Sequence, residues 1–189
     1  MRLSILSLFA VAITALPAHA GFTELGASIN YRSSGYDKNN YVASTSYTAS
    51  VSYYFWEMCA WELNYTSGYS VQSTKGATVT DPKTKIEDNI ELTSLDLVLS
   101  LAERQDPFRP YIKIGVGYLD KERYRRVDDD PRERISSQNG IVPSGGIGFS
   151  LGLTKEFSIK LGRDAWTSPL DEQPLVIDYA GRAGISYIF

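Results

Sequence analysis

Apolar and small polar residues alternate with period two along most of the chain after residue 20. In the stretch 43–55, which reads ASTSYTASVSYYF, the even positions from Ser44 to Ser52 are all serine or threonine, and the odd positions are mostly apolar or aromatic. Because successive side chains of a β-strand point to opposite faces, this pattern predicts a strand with one apolar and one polar face. The same split recurs in seven further segments. The sequence therefore predicts an all-β chain of eight strands.

The predicted connections alternate in length. The short ones are Trp56–Cys59, Glu103–Pro110 and Thr154–Glu156, and the long ones are 33–42, 73–89, 120–140 and 167–176. An even number of strands with short turns at one end and long loops at the other is typical of bacterial outer-membrane barrels. We therefore predict an antiparallel up-and-down barrel.

The composition of the two faces indicates which one points inward. The polar face consists mostly of Gly, Ser, Thr and Asn, which suits a narrow interior, whereas the apolar face carries large Leu, Ile and Tyr side chains. A soluble, lipocalin-type barrel has the same alternation but with its apolar face inward.

Aromatic residues form two predicted belts, as at the two interfaces of a membrane barrel. The belt near the short turns consists of Phe55, Trp56, Trp61, Phe108, Tyr111, Phe157, Tyr187 and Phe189. The belt near the long loops consists of Tyr31, Tyr41, Tyr69, Tyr118, Trp166 and Tyr179. The pattern predicts a transmembrane β-barrel with short periplasmic turns and longer extracellular loops.

The first 20 residues have the layout of a cleaved secretory signal peptide: Arg2, an apolar stretch to Leu16, and small residues before the cleavage site. The alternative is an N-terminal membrane anchor, for which the apolar stretch is short. The predicted mature domain is 21–189. It has 18 basic and 22 acidic residues, and a formal charge of −4 argues against nucleic-acid binding.

Three segments resemble the small eight-stranded outer-membrane barrels: RPYIKIGVGY, GGIGFSLGLTKEFSIKLGRDAW and the closing GRAGISYIF. That group includes the transmembrane domain of outer-membrane protein A, outer-membrane proteins X and W, and the opacity proteins. The resemblance implies a multi-pass protein of the Gram-negative outer membrane, exported through the Sec pathway. It also implies contact with periplasmic chaperones and the barrel-assembly machinery, with Tyr187 and Phe189 as the assembly signal.

Isolated charges on the polar face are the first candidate site. They are Glu62, Asp96, Lys113, Lys160 and Arg182. Because an unpaired buried charge is costly, we expect these side chains to form one salt-bridge network that plugs the lumen. A regulated gate is the alternative role.

The segment 120–134 is the second candidate site, since it is dense in charges of both signs. Arg123, Arg125 and Arg126 could bind lipopolysaccharide phosphates through their guanidinium groups. Asp128, Asp129 and Asp130 could hold a divalent cation, but the run lacks the regular spacing of a calcium loop, so no metal site is predicted. The alternative is a self-paired loop or protruding hairpin without a ligand.

The predicted mature chain lacks histidine, because His19 belongs to the signal peptide. A histidine base of the kind that envelope acyltransferases and phospholipases use is therefore missing, and we predict no enzymatic activity and no cofactor. A Ser–Lys or aspartate site stays open, and Cys59 is expected to be incidental.

The predicted function is a surface barrel whose loops contact outer-membrane lipid, lipopolysaccharide or a host-surface ligand. The alternative is a narrow channel for small or apolar solutes, which lumenal glycines on the fifth to seventh strands would favour. Ile90 and Leu92 fall on the polar parity of strand four, which suggests a bulge or an exposed extension there.

Overall fold

A computed structural model of the chain describes residues 21–35, 40–75, 82–128, 130–167, 169 and 177–189, without the side chains of 32–35. The predicted signal peptide, 1–20, lies outside the described residues. Within them the chain forms eight strands: β1 (Phe22–Gly35), β2 (Tyr41–Trp56), β3 (Cys59–Lys75), β4 (Lys83–Ser100), β5 (Phe108–Val127), β6 (Glu133–Gly152), β7 (Phe157–Thr167) and β8 (Ile177–Ile188).

The strands form a closed barrel in sequence order, and every neighbouring pair is antiparallel. Backbone hydrogen bonds between Thr23 and Phe189 continue the contact of β1 with β8 at the short-turn end. These observations confirm the predicted eight-stranded up-and-down barrel. Among the described residues, no helix is long and apolar enough to cross a membrane.

The two faces of the wall have the predicted orientation. Large apolar side chains such as Ile114, Ile147 and Val116 point outward and are more than half exposed, whereas Glu62 and Asp96 are buried inside. Two aromatic residues depart from the predicted belts. Tyr111 and Trp166 are each 8% exposed and lie in the lumen, because they share the parity of the inward residues of β5 and β7.

Strand four also differs from the prediction. Pairing of β4 with β3 and with β5 runs without a register shift, so there is no bulge, and Leu92 is buried inside the barrel. The lumen therefore contains apolar side chains where the sequence pattern suggested an irregular strand.

The strands on one side of the barrel are much longer than a membrane crossing requires. β5 and β6 each have 20 residues and β4 has 18, whereas a spanning strand needs about 9–11. Most of the predicted loops 73–89 and 120–140 are therefore strand. Together, 70–75, 83–91, 120–127 and 133–140 form a sheet that extends beyond the barrel at the long-loop end, called here the protruding sheet.

Candidate functional site: the lumen and its outer end

Charged side chains from six strands meet inside the barrel. The structure brings together the five predicted residues, Glu62, Asp96, Lys113, Lys160 and Arg182, and adds Glu24 and Asp164. These seven residues are called the lumenal ion network. Each lies at an inward position of its strand, and the antiparallel register places Glu62 directly beside Asp96.

Glu62 is the centre of the network. One of its carboxylate oxygens lies 3.2 Å from Lys113 Nζ and 3.5 Å from Arg182 Nη1, and the other lies 3.8 Å from Lys160 Nζ. The hydroxyl of Ser52 also donates to this carboxylate at 3.1 Å. Three cations therefore share one buried carboxylate, which couples β3, β5, β7 and β8.

Asp96 is stabilised mainly by hydrogen bonds from neutral side chains. It accepts from Asn64 Nδ2 at 2.8 Å, from Ser94 Oγ at 3.1 Å and from Ser144 Oγ at 2.6 Å. Lys113 Nζ lies 3.6 Å away. Because a buried charge is tolerated only where its hydrogen-bonding capacity is satisfied, the small polar residues of the lumen are what allow Asp96 to be buried.

The two residues that the sequence prediction missed complete the network. Glu24 pairs with Lys160 and accepts a hydrogen bond from Tyr54 Oη at 3.1 Å. Asp164 lies 2.6 Å from Arg182 Nη2 and 3.1 Å from Lys113 Nζ. Glu24 lies one residue before, and Asp164 two residues after, the alternating segments from which their strands were predicted. Both occupy inward positions of the same alternation, so extending those segments by two residues would have included them.

The space around the network is filled. A Cβ atom added to Gly148 or Gly162 would lie 2.6 or 2.8 Å from the Tyr111 hydroxyl oxygen, and one added to Gly146 would lie 2.6 Å from Asp164 Oδ1. The lumenal glycines therefore make room for Tyr111 and the ion pairs rather than for a pore. The cavity beside Glu24 and Lys160 measures about 20 Å³, which is room for about one water molecule.

A second closure lies farther toward the long loops. Leu92, Leu119, Val142 and Trp166 are buried against one another inside the barrel, with Ile90 and Ala180 packed on them. These four residues are called the upper apolar layer. Because ions and water avoid a close-packed apolar constriction, the axis of the barrel is closed by two layers of different chemistry.

The three predicted lipopolysaccharide residues lie at the tip of β5, and Asp128 and Asp130 of the predicted cation residues follow it. Arg123 makes a bidentate pair with Asp88, at 2.7 and 3.0 Å, on the inward side of the protruding sheet. Arg125 pairs with Glu133 at 3.6 Å, and Arg126 has a buried Nε without a hydrogen-bond partner among the described residues. Hydrogen bonds to Asp88 raise the pKa of the Arg123 guanidinium. Two of the three arginines are thus paired within the protein.

Asp128 has a structural contact. Its Oδ1 accepts a hydrogen bond from Lys83 N at 2.7 Å, and its own backbone N–H donates to Lys83 O at 2.8 Å. Asp129 lies outside the described residues, and Asp130 N–H donates to Val127 O at 3.0 Å. In the part of the chain that the structure describes, no group of three or more acidic, histidine or cysteine side chains is arranged to hold a metal ion.

Tyr187 and Phe189, the predicted assembly signal, lie on the outer face at the short-turn end. The Tyr187 ring lies 4.9 Å from the ring of Phe157 and 6.2 Å from that of Phe189. Their role in assembly stays a prediction. Cys59 is a partly exposed free thiol at the start of β3.

Comparison with solved structures supports the fold. The N-terminal barrel domain of OprF from Pseudomonas aeruginosa is 17% identical with a TM-score of 0.54, and the alignment covers 88% of this chain and 97% of that one. OprG from the same organism gives the same identity and TM-score and covers 89% and 95%. The outer membrane enzyme PagL is more distant, with 14% identity and a TM-score of 0.42 over 88% and 98%. At these identities the likeness shows the fold alone.

Comparison by sequence gives the family. No curated protein matches the chain at a significant level. A family model described as the outer membrane protein β-barrel domain matches residues 4–168, which is most of the chain. The chain therefore belongs to this family of bacterial outer-membrane β-barrels.

Proposed function

We propose that this protein is a non-enzymatic barrel, closed along its axis, that displays the protruding sheet at the bacterial surface for adhesion or ligand contact. The observation that carries the proposal is the double closure of the lumen by the ion network and the upper apolar layer. Export through the Sec pathway and biogenesis by periplasmic chaperones and the barrel-assembly machinery belong to the same proposal.

The protruding sheet is the part of the molecule suited to contact another surface. It has a fixed shape, because its strands continue the barrel ladders and because Arg123–Asp88 and Arg134–Glu122 join them through side chains. The Arg132 guanidinium also lies 5.0 Å from the centre of the Tyr124 ring. A pre-organised surface loses little conformational entropy on binding, so it can hold a ligand without a flexible loop.

A comparison of bacterial cells tests this proposal. One strain carries the wild-type gene, a second lacks it, and a third carries a shortened protein in which 71–87 and 122–137 are each replaced by Asn-Gly. Two-residue turns of this sequence fit antiparallel hairpins, so the barrel should fold, which heat-modifiable mobility on gels would verify. We expect adhesion to host cells to fall to the level of the strain without the gene. Adhesion equal to that of the wild type would contradict the proposal.

The alternative, a narrow channel for small or apolar solutes, is supported by one feature, a cavity of about 210 Å³ at the long-loop end of the lumen. That cavity lies above Trp166, so a path along the axis would also require both closures to open. We therefore rank the closed surface barrel first.

A further inference from the structure

Arg163 is a charged residue on the outer, lipid-facing surface of the barrel. Its side chain is exposed, and its partners across β6 and β8 are the outward Ile147 and Gly181. Outside the protruding sheet, Arg163 is the one charged residue that the described strands place at an outward position. Because a cation on the lipid face is unfavourable unless it reaches the headgroups, a bound anion would stabilise it there.

The Arg163 guanidinium has an aromatic neighbour and no anionic one. Its Cζ lies 4.3 Å from the centre of the Tyr179 ring. It makes no ion pair with any described residue, since the adjacent Asp164 points inward and binds Arg182. There is also open space beside it, because a Cβ atom on the facing Gly181 would meet nothing within 4 Å. The N–H donors of the guanidinium are therefore accessible to an anion from the membrane.

An apolar groove of about 700 Å³ begins beside Arg163 and Tyr179. Its course follows the antiparallel register, which aligns outward residues of five strands in one row: Leu97, Ile114, Gly145, Ala165 and Tyr179. Gly145 and Ala165 have the smallest side chains of the row, so the surface is lowest between Ile114 and Tyr179. The volume is within the range of about 300–1,000 Å³ that is typical of sites for drug-sized molecules.

The groove descends from the long-loop end toward the middle of the apolar band. Tyr179 is nine residues from the short-turn end of β8 at Ile188, whereas Leu97 is three residues from that end of β4 at Ser100. Four spacings between strands amount to about 19 Å, and a strand tilt of about 40° makes the descent about 12 Å. The apolar band of such barrels is about 25 Å tall. The groove therefore has the depth of about one leaflet, with Arg163 near its headgroup end.

The position of Arg163 indicates which headgroup it can reach. A guanidinium group binds phosphate through two parallel N–H···O bonds. Arg163 lies at the end of the groove nearer the long loops, which are extracellular in barrels of this type. A lipid of the inner leaflet would place its phosphate at the opposite end, beside Leu97 and Leu99, where the outward residues of the groove are apolar. The charge therefore suits a phosphorylated lipid of the outer leaflet.

We propose that the groove holds one acyl chain of the lipid anchor of lipopolysaccharide, an acylated sugar that carries phosphate, and that Arg163 binds a phosphate group of the same molecule. The acyl chain covers Gly145 and Ala165 and packs against Ile114. Contact with Tyr179 keeps the guanidinium at the level of the headgroup. This site needs only the outer-membrane location of the family and not the proposed surface role, so the two proposals can fail separately.

Native mass spectrometry of the folded protein in detergent micelles tests the phosphate contact. The probes are diphosphoryl lipid A, which is the lipid anchor itself, and the same acylated disaccharide without phosphate groups. The wild type should retain one equivalent of the phosphorylated probe and bind the other weakly. Arg163→Gln should bind diphosphoryl lipid A about tenfold more weakly, which is the value of one hydrogen bond between charged groups.

The control for the loss of one positive charge is Lys155→Gln in the short turn 153–156, which should bind like the wild type. All three proteins should fold, because both side chains are exposed, and heat-modifiable mobility verifies it. Equal binding of the two probes by the wild type, or of diphosphoryl lipid A by the wild type and Arg163→Gln, would overturn the phosphate site. An equal loss in Lys155→Gln would overturn it too, because binding would then follow net charge.

A second pair of variants tests the acyl chain. Ala165→Phe fills the groove and leaves Arg163 in place, whereas Ala27→Phe adds the same ring at an outward position of β1 outside the groove. Ala165→Phe should weaken binding of diphosphoryl lipid A several-fold, and Ala27→Phe should leave it unchanged. Excess inorganic phosphate, which has no acyl chain, should not displace the lipid. Equal binding by the two variants, displacement by phosphate, or equally tight binding of phosphatidylglycerol to the wild type would each overturn the proposed occupant.

Discussion

At the scale of single residues, the lumen is stabilised by a few buried charges with several partners each. Glu62 contacts three cations and one hydroxyl, so its removal affects more than one pair. The outward Glu91 offers a matched comparison, because it is exposed and stands opposite Asp120, another carboxylate.

Glu62→Ala should lower the free energy of unfolding by about 3 kcal/mol, since breaking a buried ion pair from one side leaves charge uncompensated. Glu91→Ala should change it by less than about 0.5 kcal/mol, or raise it slightly by removing like-charge repulsion. Urea unfolding in detergent, followed by tryptophan fluorescence, measures both. An unchanged midpoint for the Glu62 variant would mean that the network contributes no stability.

Asp128 offers a second prediction at this scale. Its φ of 47° is in the left-handed region, where Asn and Asp are tolerated better than other side chains. Asp128→Ala loses the bond to Lys83 N as well, so it should destabilise the end of the β4–β5 pair by about 1 kcal/mol. Asp128→Asn keeps an acceptor and should behave as the wild type. Trypsin cleavage after Arg125 and Arg126 should be several-fold faster in the alanine variant only, and equal rates in all three proteins would show that the contact is dispensable.

The sequence predicted the position of a side chain well where the prediction followed the inward or outward alternation of its strand. It predicted the position poorly where the prediction followed the residue type instead. Glu62 and Arg182 were placed in the lumen by alternation. Tyr111 and Trp166 were assigned to belts because aromatic residues favour interfaces, although their parity pointed inward. Leu92 was misplaced because the lumen was expected to be polar throughout, whereas a barrel interior closed to water packs apolar side chains like any other core.

At the scale of strands, the alternation has a clear physical limit. It predicts a strand only where the two faces meet different surroundings, as lipid and lumen do. In the protruding sheet both faces meet water or polar neighbours, so 83–91 and 120–127 carry no period-two signal and were predicted to be loop. Their pairing partners are fixed by the register that continues from the barrel, which a single sequence does not display.

Strand β8 carries a prediction for two glycines on opposite faces of the wall, since Gly184 points into the lumen beside Ser28 and Gly181 points outward. Gly184→Ala places a methyl group 2.5 Å from Ser28 Cβ, and overpacking of this kind should cost about 1–3 kcal/mol of unfolding free energy. Gly181→Ala meets open space and should be neutral or slightly stabilising. Urea midpoints of the two variants measure the difference. Equal effects of both substitutions would show that the space beside Ser28 does not limit the side chain at position 184.

At the scale of the whole molecule, the protein is a barrel with two closures in series and the protruding sheet at its long-loop end. The closures differ in chemistry, so a change that opens one leaves the other in place. The overall architecture followed from the alternation, the strand count and the connection lengths. The closures depend on which inward side chains reach one another across the lumen. The extent of the β1–β8 pairing, which runs from Glu24 opposite Ile188 to Ile29 opposite Ala183 among the described residues, depends on backbone hydrogen bonds. Neither is contained in a one-dimensional pattern.

The central claim is that the barrel does not conduct along its axis. Purified wild-type protein, folded and inserted into a planar lipid bilayer, should leave the current at its baseline at both voltage polarities. The protein is delivered to the bilayer from lipid vesicles, and the heat-modifiable mobility of protein recovered from those vesicles verifies that it is folded and inserted. A steady, stepwise conductance from the wild-type protein would contradict the double closure, and with it the proposal that this barrel serves as a surface platform rather than as a channel.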